Sequence, residues 1–317
     1  RAEELRRVTD ADGKHAKGMA ADHLPPKWFD KNPDTTYRQD IGAMIAVIQK
    51  ACEIAKNIPP AESFFEWWLE LEKKTLAWAG ELKHPLLLAS FGVSLIERAA
   101  LEGFLRLRGT VLEEALLSNA LGVRLAEIRP ELKRRKPAEF LPKRALRALA
   151  LRHTVGLTDP LTEAEIPERE KVNDGLPQSL EACIRAYGLR YFKLKIQGRP
   201  EQDLDRLSSI WKVLEREARE EIHVTLDGNE QFREMRSFQS FWEGVLSRED
   251  LKAMKERILL VEQPLHRNVA LSPEAGRELK GWKDRPPMII DESDADLSSL
   301  PTALERGYIG TSHKNCK

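Results

Sequence analysis

The chain has 317 residues, with 51 Lys plus Arg against 51 Asp plus Glu and a formal net charge of zero. That balance excludes a protein whose main task is to coat nucleic acid or an anionic membrane, since both need an excess of positive charge. Charged residues make up 32% and hydrophobic ones 41%, as in ordinary globular proteins, and the length suggests two domains or one large barrel with an addition.

The first forty residues are polar, with turn signals at Asp12-Gly13 and Pro25-Pro26. They read as a short strand or two followed by a loop through Lys27-Trp28-Phe29-Asp30-Lys31. From Asp40 to about Arg108 the pattern is helical. Ile41, Met44, Ile45, Ile48 and Cys52 recur at helical spacing. Ser63 with Glu66 three residues on resembles a capping box. Leu88, Phe91, Leu95 and Ala99 continue into an amphipathic helix that ends near Gly109. The longest apolar stretch, roughly Pro85 to Ile96, is too short to span a bilayer. Cys52, Cys183 and Cys316 lie far apart without CxxC spacing, so neither a disulfide framework nor a structural zinc site is expected. A cytoplasmic location follows as the expectation.

Residues 129–152 are basic, with Arg129, Lys133, Arg134, Arg135, Lys136, Lys143, Arg144, Arg147 and Arg152. No aromatic platform beyond Phe140 accompanies them, so a solvated connector is expected rather than a nucleic-acid surface. Beyond residue 150 short β-branched segments alternate with longer amphipathic ones. Strands are read at His153–Leu157, Tyr191–Ile196, His223–Leu226, Ile258–Glu262, Met288–Asp291 and Tyr308–Ser312. Helices are read at Leu176–Tyr187, Gln202–Arg219, Ser237–Lys255, Pro273–Trp282 and Leu297–Arg306. This alternation predicts a parallel sheet covered by helices, as an open doubly wound sheet or a closed barrel. No GxGxxG or P-loop follows any of these strands.

Parallel α/β folds bind ligands at the carboxyl ends of their strands. The second strand carries Lys193 and Lys195, which share a face by alternation. Two neighbouring ammonium groups lower the pKa of at least one of them, which suits a general base; an exposed edge strand is the plainer alternative. The third, fourth and fifth strands end at Asp227 (with Asn229 beyond), at Glu262-Gln263-Pro264 and at Asp291-Glu292-Ser293. Three carboxylates at adjacent strand ends repel one another unless a cation sits between them. Hard oxygen ligands without clustered His or Cys favour Mg²⁺. The sixth strand is followed by His313 and Lys314. His313 points away by alternation, and Lys314 is expected across the barrel mouth from Lys195.

The succession Lys193-x-Lys195, Asp227-x-Asn229, Glu262-Gln263-Pro264, Asp291-Glu292-Ser293 and Lys314 resembles the enolase superfamily. The likeness is to its mandelate racemase/muconate lactonizing enzyme group, and within that to the muconate lactonizing branch. The His84–Gly109 segment and Ala20–Trp28 are similar to that family's capping domain. The resemblance implies a (β/α)₈-type, TIM-like barrel, C-terminally incomplete here, with an N-terminal α+β capping domain. The expected domains are 1–148 (cap, its start absent) and 149–317 (barrel strands one to six). An ordinary barrel alone takes about 250 residues, so the sequence is expected to be a piece of a longer protein.

The same resemblance implies site roles. Lys195 would be the acid/base on one substrate face, supported by Lys193, and Lys314 the acid/base or cation on the other. Asp227, Glu262 and Asp291 would bind Mg²⁺, with Asn229 and Glu292 supporting them from behind. The implied reaction is removal of the proton α to a substrate carboxylate through a metal-stabilised enediolate. Racemisation or epimerisation is the leading expectation; cycloisomerisation, syn-elimination and an inactive binding scaffold are the alternatives. The expected partners are a small-molecule carboxylate and further copies of the chain in a homo-oligomer, with neither nucleic acid nor membrane.

Overall fold

The structure, a computed structural model, describes residues 2–172, 174–314 and 316. Contacts divide the chain into two compact units, Arg1–Arg147 with His313–Lys317, and Ala148–Ser312.

The first unit opens with an antiparallel hairpin of β1 (Ala2–Thr9) and β2 (His15–Asp22). Its turn is built by Asp10, whose carboxylate accepts the N–H groups of Asp12 and Lys14. Gly13 supplies the left-handed residue at φ 80°. The expected loop at residues 27–31 instead begins as a helical turn, α1 (Pro26–Phe29), because Pro26 at its first position is already set for helix and Phe29 is buried. Helix α2 (Tyr37–Lys56) starts at a capping box of Thr36 and Gln39. Helix α3 (Phe64–Glu81) is capped by Ser63, which accepts the Glu66 N–H. The expected return bond from Glu66 goes one residue further back, to the Glu62 N–H.

Helix α4 (Leu86–Arg108) ends at Gly109 in the left-handed region. It buries Leu88, Phe91, Leu95, Ile96 and Ala99 against Phe29, Met44, Val47 and Leu71. A Cβ on Gly18 would lie 2.0 Å from the Ala99 carbonyl oxygen, so the closeness of β2 to α4 depends on that glycine. Short helices α5 (Leu112–Leu117) and α6 (Leu125–Ile128) follow. Residues 142–151 are all exposed and without helix or strand, as a solvated connector should be.

The second unit alternates β3 (Arg152–Val155), α7 (Leu180–Tyr187), β4 (Tyr191–Lys195), α8 (Pro200–Glu217), β5 (His223–Asp227) and α9 (Met235–Ser247). Then come α10 (Lys252–Lys255), β6 (Ile258–Glu262), α11 (Arg267–Ala270), α12 (Pro273–Gly281), β7 (Met288–Ile290), α13 (Ser299–Arg306) and β8 (Gly310–Thr311). All six strands are parallel and paired in sequence order, β3-β4-β5-β6-β7-β8. The expected order holds, with two shifts of boundary. The long helix read over 237–255 breaks at Arg248 into α9, a 3₁₀ turn and α10. Asp227 belongs to its strand instead of following it.

Strand alternation sets the two faces apart. Phe192, Leu194, Val224, Leu226, Val261 and Ile290 are fully or almost fully buried, in one cluster with Leu207, Leu214, Phe238, Phe241 and Leu279 of the helices. The intervening positions are Lys193, Lys195, Thr225 and Asp227. A two-residue period therefore separates an apolar helix-facing side from a polar side. Among the described residues no helix is long and apolar enough to cross a membrane.

Candidate active site

Parallel register lines up the site. Lys195 pairs across with Asp227, and Asp227 with Glu262, so these three stand in one row at the carboxyl ends of β4, β5 and β6. One rung lower, Thr154, Lys193 and Thr225 form a second row. Asp227 is 1% exposed and Glu262 0%. Buried charges persist only when paired, and the pairing partners are the two lysines. Lys193 Nζ lies 2.6 Å from Asp227 Oδ2 and 2.9 Å from Glu262 Oε1. Lys195 Nζ donates to Asp227 Oδ2 at 2.7 Å.

For Lys193 this runs against the expected lowering by its neighbour. Burial does push the Lys193 ammonium towards losing its proton. Asp227 and Glu262 outweigh that and hold its pKa above the usual lysine range. Lys193 is a fixed cation in this arrangement.

Arg152 is the residue that the charge-run reading misassigned. It is not part of the connector but begins β3, and its guanidinium donates to Thr225 Oγ1 at 3.1 Å and to Glu262 Oε2 at 3.3 Å. Both oxygens of Glu262 therefore face cations. The only sequence hint was its position directly before a strand.

Past the strand ends the loops are tied closely. Gly228 donates to the Glu262 carbonyl, Glu230 to that of Gln263, and Phe232 to that of Pro264. A Cβ on Gly228 would lie 2.5 Å from Pro264 Cα, so this approach requires glycine. Glu230, 3% exposed, accepts the Arg267 N–H at 2.9 Å and its guanidinium Nε and Nη2 at 2.7 Å each. Asn229, Glu230 and Gln263 all hold positive φ, at 45°, 68° and 36°, and such backbone strain concentrates at functional loops.

Asp291, 2% exposed, directly follows β7, and Glu292 is 1% exposed. Asn229 Nδ2 donates to Glu292 Oε1 at 2.5 Å, while its backbone N–H meets Asp227 Oδ1 at 2.9 Å. Glu292 Oε2 is buried with no hydrogen-bond partner. Burial first, then the charges of Asp291, Glu230 and Asp227, push the Glu292 carboxyl up to about 7.

Lys314 falls in the other contact unit, where its ammonium lies 5.3 Å from the centre of the Trp28 ring, a cation–π distance. The structure thus brings together Lys193, Lys195, Asp227 and Glu262, and joins Asn229 to Glu292.

The buried carboxylates at the ends of three consecutive strands are hard oxygen donors, the kind a dication takes, but their arrangement does not fit one. As arranged, no three His, Cys, Asp or Glu among the described residues converge closely enough to hold a metal ion. The Lys193 ammonium stands between Asp227 and Glu262.

No family model matches the sequence, and no curated protein does. Solved structures do match. A mandelate racemase/muconate lactonizing protein from Herpetosiphon aurantiacus superposes with a TM-score of 0.56 at 18% identity, over 96% of this chain and 64% of that one. A muconate cycloisomerase variant, F329I, gives 0.53 at 19% identity, over 99% and 67%. An N-succinyl Arg/Lys racemase from Bacillus cereus ATCC 14579 gives 0.50 at 12% identity, over 96% and 62%. The chain spans about two thirds of the length of these structures. Its fold, a parallel α/β sheet with an N-terminal α+β unit, is the fold of these structures.

Proposed function

We propose that the chain carries an enolase-type acid/base site that removes the proton α to the carboxylate of a small-molecule substrate, with racemisation or epimerisation as the outcome. The observation that carries this reading is the row Lys195–Asp227–Glu262 with Lys193 locked beneath it. The two lysines are unequal. Lys193, 11% exposed at its side chain, is clamped between two carboxylates and stays charged. Lys195, 22% exposed, has one carboxylate contact and stands a rung nearer the open strand ends. Lys195 is therefore the residue that takes the proton, and Lys193 the fixed positive charge below it.

Removing an α-proton places a second negative charge on the substrate carboxylate. Ammonium groups and a dication held where water is excluded stabilise that charge in the transition state. Asp227, Glu262 and Asp291 would hold Mg²⁺, which when bound supplies Lewis-acid stabilisation worth several kcal/mol. Asp227 would then keep Lys195 in place, through the 2.7 Å hydrogen bond. Lys314 is assigned to the opposite substrate face on its motif alone.

Cycloisomerisation or syn-elimination, which needs one base, is the second reading. Lys195→Ala and Lys314→Ala separate the two. Under epimerisation each variant still exchanges the α-proton of one epimer and neither interconverts the pair. If turnover survives in Lys314→Ala and is lost in Lys195→Ala, the outcome is a single-base reaction.

A further inference from the structure

Helix α8 grips the chain on both sides of Lys195. Near its start stands Asp203, 2% exposed. One carboxylate oxygen accepts the Gln197 N–H and the other the Arg199 N–H, each at 2.9 Å. Both donors lie just past Lys195, at the exit of β4. Between them Gly198 runs so close to the loop after β5 that a Cβ there would lie 3.0 Å from Gln231 Cβ. The Ile196 N–H donates to the Asp227 carbonyl at 3.0 Å. The exit of β4 is therefore tied to the exit of β5 as well as to α8.

Arg206 lies nearly one turn further along α8 and grips the neighbouring strand. Its Nη2 donates to the Gly156 carbonyl at 3.3 Å and to the Asp159 carbonyl at 2.5 Å. The Asp159 carboxylate accepts the Gly156 N–H at 2.7 Å, which closes the turn that Arg206 holds. Gly156 comes one residue past the Val155–Leu194 pair, level with Lys195. Arg206 Nε is buried without a hydrogen-bond partner. An orphaned buried donor costs free energy, and the hydrogen bonds of this guanidinium go to the carbonyls of this one loop. An acceptor and a donor of opposite charge, three residues apart on one helix, thus hold the exits of β3 and β4.

We infer that Asp203 is a positioning residue for Lys195, with Arg206 as its counterpart on the neighbouring strand: together they fix the end of β4, and so where the Lys195 ammonium stands. Their hydrogen bonds reach Lys195 only through the backbone. The inference rests on the proposed role of Lys195 in taking the α-proton. Misplacing a reacting group by about 1 Å can cost about a hundredfold in rate. Asp203 also has a part in its own helix, since its N–H donates to the Arg199 carbonyl at 2.8 Å. Positioning and helix capping are separated by what happens at Lys195 itself.

The test labels the full chain with limiting acetic anhydride and reads each lysine by mass spectrometry, alongside thermal melts. Asp203→Asn keeps the shape and one acceptor oxygen, but its amide nitrogen cannot accept the second N–H. Lys195, 22% exposed and bonded to Asp227 in the wild type, is expected to be acetylated severalfold faster in this variant. Lys252, 65% exposed, is the reference and is expected to be unchanged. Arg206→Met removes the other grip and is expected to act on Lys195 in the same way; should one variant fail to fold, the other decides. Exchange of α-protons in D₂O, followed over a panel of N-acyl amino acids and dipeptides, is expected to lose about ten- to a hundredfold in kcat with KM unchanged. A merely structural Asp203 would lower the melting temperature and leave Lys195 acetylation as in the wild type; that result in a folded variant overturns the inference. Faster acetylation of Lys195 and Lys252 alike reports general loosening and overturns it too, as does unchanged kcat where Lys195 is freed. Absence of exchange in the wild type, or full exchange in Lys195→Ala, overturns the reading of Lys195 as the base, while the acetylation rates still judge the grip of α8 on Lys195.

Discussion

Replacing Lys193 with Met keeps the volume of the side chain and removes an ammonium that contacts both Asp227 and Glu262. Those carboxylates are 1% and 0% exposed. Breaking a buried ion pair by deleting one partner costs about 3–5 kcal/mol, because the other charge stays buried. Here Lys195 still holds Asp227 at 2.7 Å, and Arg152 still reaches Glu262 at 3.3 Å. The low end of that range, about 3 kcal/mol, is therefore expected for Lys193→Met. Urea unfolding at pH 7 without divalent ions measures it. Adding Mg²⁺ to a hundredfold excess over its dissociation constant should return about 2.7 kcal/mol. The gain should exceed that in the wild type, where the ammonium must first move aside. A loss below about 1 kcal/mol would refute the buried-pair reasoning. Equal stabilisation of variant and wild type by Mg²⁺ would refute the idea that metal and ammonium share one place.

Further expectations follow from single contacts. Arg152→Gln removes the cation beside Glu262 Oε2; Mg²⁺ affinity measured by titration should rise about threefold or more, since a fixed positive charge no longer opposes the ion. Gly228→Ala puts a methyl group 2.5 Å from Pro264 Cα, and should cost about 1–3 kcal/mol in urea unfolding while weakening Mg²⁺ binding by separating the β5 and β6 loops. In the first unit, burial followed by the charge of Glu72 pushes the Glu97 carboxyl up to about 7 from 4.5. The folded state then binds more protons than the unfolded one, so this group's contribution is fully present below pH 4.5 and falls away as pH rises through about 7. Glu97→Gln should match the wild type in urea unfolding at pH 4.5 and exceed it at pH 8, by on the order of 3 kcal/mol; equal stability at pH 8 would contradict the assignment.

What the sequence revealed depended on how local each signal is. Strand alternation is a two-residue rule, so the shared face of Lys193 and Lys195 and the strand-end positions of Asp227 and Glu262 were readable without a structure. The alternation of β-branched and amphipathic segments likewise gave six parallel strands in order. Capping is local too, and Ser63 was found as the acceptor of the Glu66 N–H, although the Glu66 carboxylate accepts from Glu62 instead of Ser63. The missed contacts join distant positions. Arg152 reaches a residue 110 positions away, and its basic neighbours disguised it as solvated. The Glu230–Arg267 pair spans 37 positions, and Gln263 meets Asp291 across 28. The state of Lys193 was also hidden: spacing shows that it shares a face with Lys195, but only the rows across β4, β5 and β6 show that two carboxylates contact it and hold it charged.

The central claim is that Lys195, backed by Asp227, removes an α-proton beside a metal-bound carboxylate. Proton NMR in D₂O of a panel of N-acyl amino acids and dipeptides, incubated with the protein and saturating Mg²⁺, tests it most directly. The account predicts loss of the α-proton signal from at least one member, abolished by a chelator and by Lys195→Ala. Retention of every α-proton signal at saturating Mg²⁺, or undiminished exchange in Lys195→Ala, would contradict it.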